Sequence, residues 1–172
     1  HRELSVRSQM LIDVFPRTIV PMDGTRPWEQ VRNDCIYRGS EPARDALEAC
    51  RFRHESPHVR IKGHLLDYGA HCFEPDRPIL ACASALCDWM FEDITYAPGE
   101  TTISTSVLEV LERRRGVCQD FAHLMIACLR ARGLPARYVS GYLRTLPPVG
   151  SAESDKPVLV GAGATHAWVA VW

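Results

Sequence analysis

Apolar residues recur along the chain with two different periods, and the switches between those periods divide it into elements. Leu4, Val6, Met10, Ile12 and Val14 alternate with Glu3, Ser5, Arg7, Gln9 and Asp13, a period of two that predicts a half-buried strand. Pro16, Pro21, Gly24 and Pro27 punctuate a loop, and Trp28 to Tyr37 reads as a short helix with Pro27 in its first turn. Behind Pro78, the residues Ile79, Leu80, Ala83, Leu86, Cys87, Met90 and Phe91 recur at steps of three and four, which predicts an amphipathic helix over Ile79 to Ile94. A turn through Pro98 and Gly99 follows. Ser104 or Ser106 can then cap a helix carrying Val107, Leu108, Val110 and Leu111, which ends at Arg113, Arg114 and Arg115 before Gly116. Cations at a helix C-terminus complement its dipole, so this run reads as helix-terminal rather than as a phosphate clamp.

From Cys118 to Arg132 apolar residues cover nearly every side of the helix, which places it in the middle of its domain. Gly133 and Pro135 stop it. Ala136 to Leu143 reads as a strand broken at Gly141, and Thr145 to Ala164, rich in Pro and Gly, reads as a long loop of the kind that forms lids. His166, Trp168, Ala170 and Trp172 alternate with Ala167, Val169 and Val171 in a last strand that begins at His166. Strand, then helices, then strands predicts an α+β fold with helices on one side of an antiparallel sheet.

The 172 residues, 46% hydrophobic and 24% charged, suit one globular unit with a sizeable core. Twenty Lys and Arg against 21 Asp and Glu leave a net charge of -1, which supplies no overall field for nucleic acid or an anionic membrane. One basic cluster stands out, Arg51, Arg53, His54, His58, Arg60, Lys62 and His64. With Phe52 as its only aromatic for base stacking, it reads as a solvated face, and no nucleic-acid partner is expected. No run approaches the roughly 20 apolar residues that span a bilayer, and His1 to Leu4 carries no signal-peptide pattern. Seven cysteines, an odd number without a CxxC pair, read as reduced thiols in a cytoplasm, and the spacing of Cys and His shows no zinc signature. No metal or cofactor is therefore expected. A start at His1 and a stop at Trp172 inside an alternating stretch read as an incomplete chain.

Cys118 is placed unlike the other thiols, because it follows the Gly116-Val117 turn and opens the buried helix. A helix N-terminus favours the thiolate, which is the nucleophilic form, and the residue's own N–H can serve an oxyanion. Cys82, Cys87 and Cys128 fall within apolar helical stripes and read as packing residues. A cysteine nucleophile needs a base, and His166 at the head of its strand can offer one across the core. His123 is nearer in sequence, but five residues of helix rotate it by about 500°, away from Cys118, so it reads as a hydrogen-bonded structural histidine. From the residues alone, both a catalytic and a structural role remain open for Cys118 and His166.

The segment Arg114-Arg115-Gly116-Val117-Cys118-Gln119-Asp120-Phe121-Ala122-His123 resembles the bacterial transglutaminase-like superfamily. The resemblance continues through Leu134-Pro135-Ala136-Arg137-Tyr138-Val139-Ser140-Gly141-Tyr142-Leu143 to His166-Ala167-Trp168-Val169. It covers residues 76–172 as a papain-like transglutaminase core and 1–75 as part of the small β-rich N-terminal region of the same bacterial proteins. What it implies is a central buried helix carrying Cys118 as nucleophile, packed on an antiparallel sheet carrying His166 as base. The implied activity is acyl transfer on amide bonds through a thioester, as a cysteine protease or amidase or as a transglutaminase. The implied partner is a protein or peptide substrate with an amide or glutamine carbonyl. The family's aspartate lies on the strand after the histidine, where this chain has already ended; Asp155 and Glu153 match no motif, and Asp120 reads as a cap for its helix. The oxyanion tryptophan of the animal enzymes has no counterpart either, since Thr102 to Ser106 stands in its place, and Trp89 reads as core packing. A non-catalytic protein-binding module that keeps the fold is the competing implication.

Overall fold

A computed structural model describes residues 18–37, 39, 44–142 and 165–172, together with Leu4, Asp13 and Phe15. The expected strand over Leu4 to Val14, apart from Leu4 and Asp13, and the expected lid over Thr145 to Ala164, with Glu153 and Asp155, lie outside the described residues. Helix α1 (Trp28–Asp34) starts behind Pro27, followed by α2 (Arg44–Arg51), α3 (His64–Asp67) and the long α4 (Ile79–Asp93). A two-residue strand β1 (Thr95–Tyr96), helix α5 (Val107–Arg113) and a two-residue strand β2 (Arg115–Gly116) lead into α6 (Cys118–Ala131). Strands β3 (Ala136–Gly141) and β4 (His166–Val171) complete an α+β architecture.

The pattern of apolar positions accounts for these elements. The stripe of α4 puts Ile79, Cys82, Leu86 and Met90 inside, and α6 is buried along Leu124, Ile126, Ala127, Cys128 and Leu129. Each fully buried leucine or isoleucine contributes about 1.5–3 kcal/mol. Gly133, at a φ of 75°, ends α6 in the left-handed conformation that a side chain resists. Its N–H donates to the Arg130 carbonyl and that of Leu134 to the Leu129 carbonyl, the paired closure of a Schellman ending. Ser106 is the cap of α5, accepting from the Glu109 N–H at 3.2 Å.

Residues 18–75 and 76–172 share one core. Val31, Ala49, Val59 and Leu65 pack in the same cluster as Leu86, Leu124 and Leu129. Two buried arginines tie them: Arg132 donates to the carbonyls of Leu65, Leu66, Tyr68 and Cys128, and Arg130 donates to those of His54 and Ala136. The elements described within residues 18–75 are short helices, beside isolated antiparallel bridges of Pro27 with Pro78 and Ser56 with Val59.

The C-terminal run of α5 behaves differently from a simple dipole complement. Arg113 pairs with Glu109, Arg114 turns into the left-handed region and pairs with Asp93, and Arg115 enters β2 and pairs with Glu100, each at 2.6 Å. β1 and β2 pair in parallel, Thr95 with Arg115 and Tyr96 with Gly116, a bridge that the turn expected after Ile94 did not foresee. β3 and β4 pair antiparallel, with Gly141 opposite His166 and Ala136 opposite Val171. This ribbon packs on α6.

Candidate active site

The local geometry before Cys118 is set by Gly116 and Asp120. The buried Asp120 carboxylate accepts the Val117 N–H at 2.8 Å and the Thr101 hydroxyl at 2.6 Å. The first of these ties the third residue of α6 back to the residue that precedes the helix, so Asp120 caps its helix as expected. A Cβ at position 116 would stand 2.8 Å from the Asp120 Cβ, so only glycine lets this carboxylate reach its place. Thr101 directly precedes the segment Thr102 to Ser106, which stands in place of the oxyanion tryptophan. That segment is a turn held by hydroxyls, with the Thr102 N–H donating to Thr105 Oγ1 at 2.9 Å.

Cys118 is thereby fixed as the first residue of α6, half-buried. Its N–H and that of Gln119 are first-turn amides, for which an α-helix supplies no internal acceptor. The α6 chain runs away from Cys118, β3 returns along it from Ala136 to Gly141, and β4 begins opposite Gly141. The fold therefore brings the head of β4, and half-buried His166 with it, to the Cys118 end of the helix. Gly141 also accommodates Trp168, whose ring would lie 2.7 Å from a Cβ there.

Cys118 opens onto an apolar groove of about 770 Å3 between α4, α6 and β4. Phe121, Ala122 and Met125 continue its floor along α6, Met90 and Phe91 of α4 form one wall, and Ala167 and Trp168 of β4 the other. Cys87, expected to pack in the core, is exposed and lines this groove, whereas Cys82 and Cys128 are buried. Burial pushes the Cys82 thiol up to about 11 and the Cys128 thiol up to about 12. All seven thiols are free. Trp89, expected inside, lies at the surface edge of α4, with its ring 4.7 Å from that of His71.

His123 lies on the neighbouring stripe of α6 and is turned away from the groove, as its rotation predicted. It is engaged through ring contacts rather than the hydrogen bond expected: the His58 ring lies parallel at 5.4 Å and the Tyr138 ring at 5.2 Å. Burial, and then the His58 charge, hold its imidazole below the ordinary value, and the Asp120 carboxylate acts against them. Tyr138 was missed by sequence reasoning. Burial first, and then the charges of Cys118 and Asp120, push its phenol up. The basic cluster is not one surface: Arg53 turns inward to the carbonyls of Gly133 and Cys35, Arg60 pairs with Glu55, and His58 joins His123. Among the described residues no group of three or more His, Cys, Asp or Glu is placed to hold a metal, and no helix is long and apolar enough to cross a membrane.

Comparison with known proteins gives the family and the fold. The profile of the transglutaminase-like superfamily matches residues 69–172. An uncharacterized protein of Mycobacterium tuberculosis is 42% identical over 179 residues, covering all of this chain and 52% of the relative. One of Mycobacterium leprae is 31% identical over 172 residues, covering all of this chain and 55% of the relative. The chain thus spans about half the length of the curated relatives it matches. Among solved structures, the crystal structure of a proposed cysteine protease from Cytophaga hutchinsonii is similar, with a TM-score of 0.57 and 28% identity. That likeness covers 73% of this chain and 38% of the other.

Proposed function

The chain belongs to the transglutaminase-like superfamily, and from that premise we propose that it carries a cysteine-nucleophile site for acyl transfer on amide bonds, of the cysteine protease or amidase kind. The observation that carries this reading is the placement of Cys118 at the N-terminus of α6, with the head of β4 and His166 at the same end.

In this reading the Cys118 sulfur attacks the carbonyl carbon of a protein or peptide amide. The carbonyl π electrons move onto oxygen, which receives the N–H of Cys118 in the first turn of α6. His166, holding the proton taken from the thiol, gives it to the departing amine as the C–N bond breaks. The resulting Cys118 thioester then passes to water, which completes hydrolysis, or to a second amine, which completes transamidation. The Asp120 carboxylate holds the Val117-Cys118 turn and takes no part in the chemistry, since both its partners are structural. The apolar groove beside Cys118 suits an extended peptide with aliphatic or aromatic side chains.

A substrate-independent test is reaction with p-nitrophenyl acetate, in which p-nitrophenolate leaves and an acetyl thioester remains. The reading expects one acetyl group on Cys118, found by peptide mapping, with formation slowed in His166→Ala and absent in Cys118→Ser. Acetylation spread equally over Cys118 and the exposed Cys87, or unchanged in His166→Ala, contradicts it and leaves the fold as a protein-binding module.

A further inference from the structure

A second cleft, of about 430 Å3, opens over the neighbouring face of α6. At roughly 100° per residue, Cys118, Phe121, Ala122 and Met125 form one stripe of α6, and Gln119, His123, Ile126 and Arg130 form the next, about 100° further round. The second stripe floors this cleft, with Tyr138 of β3 and the segment Ser56 to Val59 as its walls.

The charge in the cleft is one-sided. Its lining contains His58, His123 and Arg130 and no carboxylate. Arg130 is 8% exposed, and no carboxylate pairs with it among the described residues. Its guanidinium spends Nε and one terminal nitrogen on the Ala136 carbonyl, and the other on the His54 carbonyl and the Ser56 hydroxyl. These are four bonds to three acceptors, and all three acceptors are neutral. A buried cation without a counter-ion is costly, and an anion entering the cleft would relieve that cost. The Ser56 hydroxyl, the Tyr138 phenol, the Gln119 amide and the two imidazoles add neutral donors around it. Asp120 is the negative group that acts on His123 from α6, and it is committed to Val117 and Thr101.

We infer that this cleft is an anion subsite that receives the carboxylate side chain of an acidic substrate residue next to the amide attacked at Cys118. The inference rests on the reading of Cys118 as a nucleophile, since Gln119, the residue after Cys118, lines the cleft. Pro57, Val59, Ile103 and Ile126 would flank the methylene stem of such a side chain. Glutamate, with the longer stem, fits this lining better than a free inorganic anion.

Two arms test it. In the first, the ring protons of His58 and His123 are followed by NMR against pH with N-acetylglutamate α-amide, N-acetylglutamine α-amide, acetate or phosphate present. The glutamate derivative is expected to raise the titration midpoints of both rings and the others to leave them in place. Equal effects from acetate or phosphate make it a general anion site, and no effect from any probe removes it; both overturn the inference. In the second arm, Cys118 is acylated by p-nitrophenyl esters of a glutaric acid chain ending either in carboxylate or in carboxamide. The carboxylate ester is expected to react roughly tenfold faster, the order that a charge-assisted hydrogen bond supplies, with the ratio falling toward one in His58→Gln and His123→Gln. Equal rates in the wild type overturn the subsite while leaving the nucleophile standing. A Cys118 inert to both esters, with the imidazoles still responding, marks instead the failure of the enzymatic reading and takes the substrate role of the cleft with it.

Discussion

Replacing Asp120 by alanine would release the turn that presents Cys118, and the size of the effect follows from two bonds. The carboxylate is 2% exposed and accepts the Val117 N–H at 2.8 Å and the Thr101 hydroxyl at 2.6 Å. Hydrogen bonds to a charged acceptor are worth about 1.5–3 kcal/mol each, so the gross loss is about 3–6 kcal/mol. Two terms offset it. The buried carboxylate has no cation partner among the described residues, so its removal recovers desolvation energy, and the half-buried Thr101 hydroxyl can turn to water. The net cost is about 2 kcal/mol, which lowers the melting temperature of a chain this size by about 4–8 °C. Both bonds fall on one carboxylate oxygen, Oδ2, so Asp120→Asn can keep both on its amide oxygen without the charge, and it is expected to lose about half as much. Thermal unfolding followed by circular dichroism for wild type and both variants checks this. Melting of Asp120→Ala within 1 °C of wild type, or Asp120→Asn melting below Asp120→Ala, refutes the reasoning.

Further outcomes follow from burial and close packing. Gly116→Ala drives a Cβ to 2.8 Å from the Asp120 Cβ and is expected to cost about 1–3 kcal/mol, read as a lowered urea midpoint at unchanged slope. Cys82 and Cys128, pushed up to about 11 and about 12 by burial, are expected to escape iodoacetamide in the folded protein at pH 8.5 and to react once it is unfolded, as seen by peptide mapping. The folded value of His123 lies below its ordinary one, so on acidification the unfolded chain takes the proton first. The stability held by its neutral ring is complete above about pH 6.5 and is lost as pH falls through the folded value, and His123→Gln is expected to flatten that loss in urea midpoints measured against pH.

The long apolar periods carried most of the fold. Helices α4 and α6 and strands β3 and β4 are legible because each buries a face whose spacing matches its own repeat, and Gly133 announces the end of α6 through a conformation that other residues resist. The pair β1 and β2 was not legible, since two residues carry no period and their pairing is decided by where α4 and α5 deliver the chain. At the site, the turn before Cys118 could be read because Gly116 and Asp120 lie within four residues of one another. The cleft built by His58, His123, Arg130 and Tyr138 could not, because 80 residues separate His58 from Tyr138 and only the packing of α6 against β3 unites them. Cys87 and Trp89 went the other way: both were expected to pack inside, yet Cys87 is exposed and lines the groove, and Trp89 lies at the surface edge of α4 beside His71. Periodicity locates a face and leaves its rim undecided.

The central claim is that Cys118 is an activated thiol served by His166, and the most direct measurement compares its alkylation with that of Cys87 in the same molecule. Both thiols line one groove, Cys87 exposed and Cys118 half-buried, so Cys87 serves as an internal reference with the freer access. With iodoacetamide at pH 7 and mass-mapped peptides, Cys118 is predicted to react at least roughly tenfold faster than Cys87, and His166→Ala to remove most of that advantage. Equal rates at the two thiols, or a Cys118 rate indifferent to the loss of His166, would contradict it.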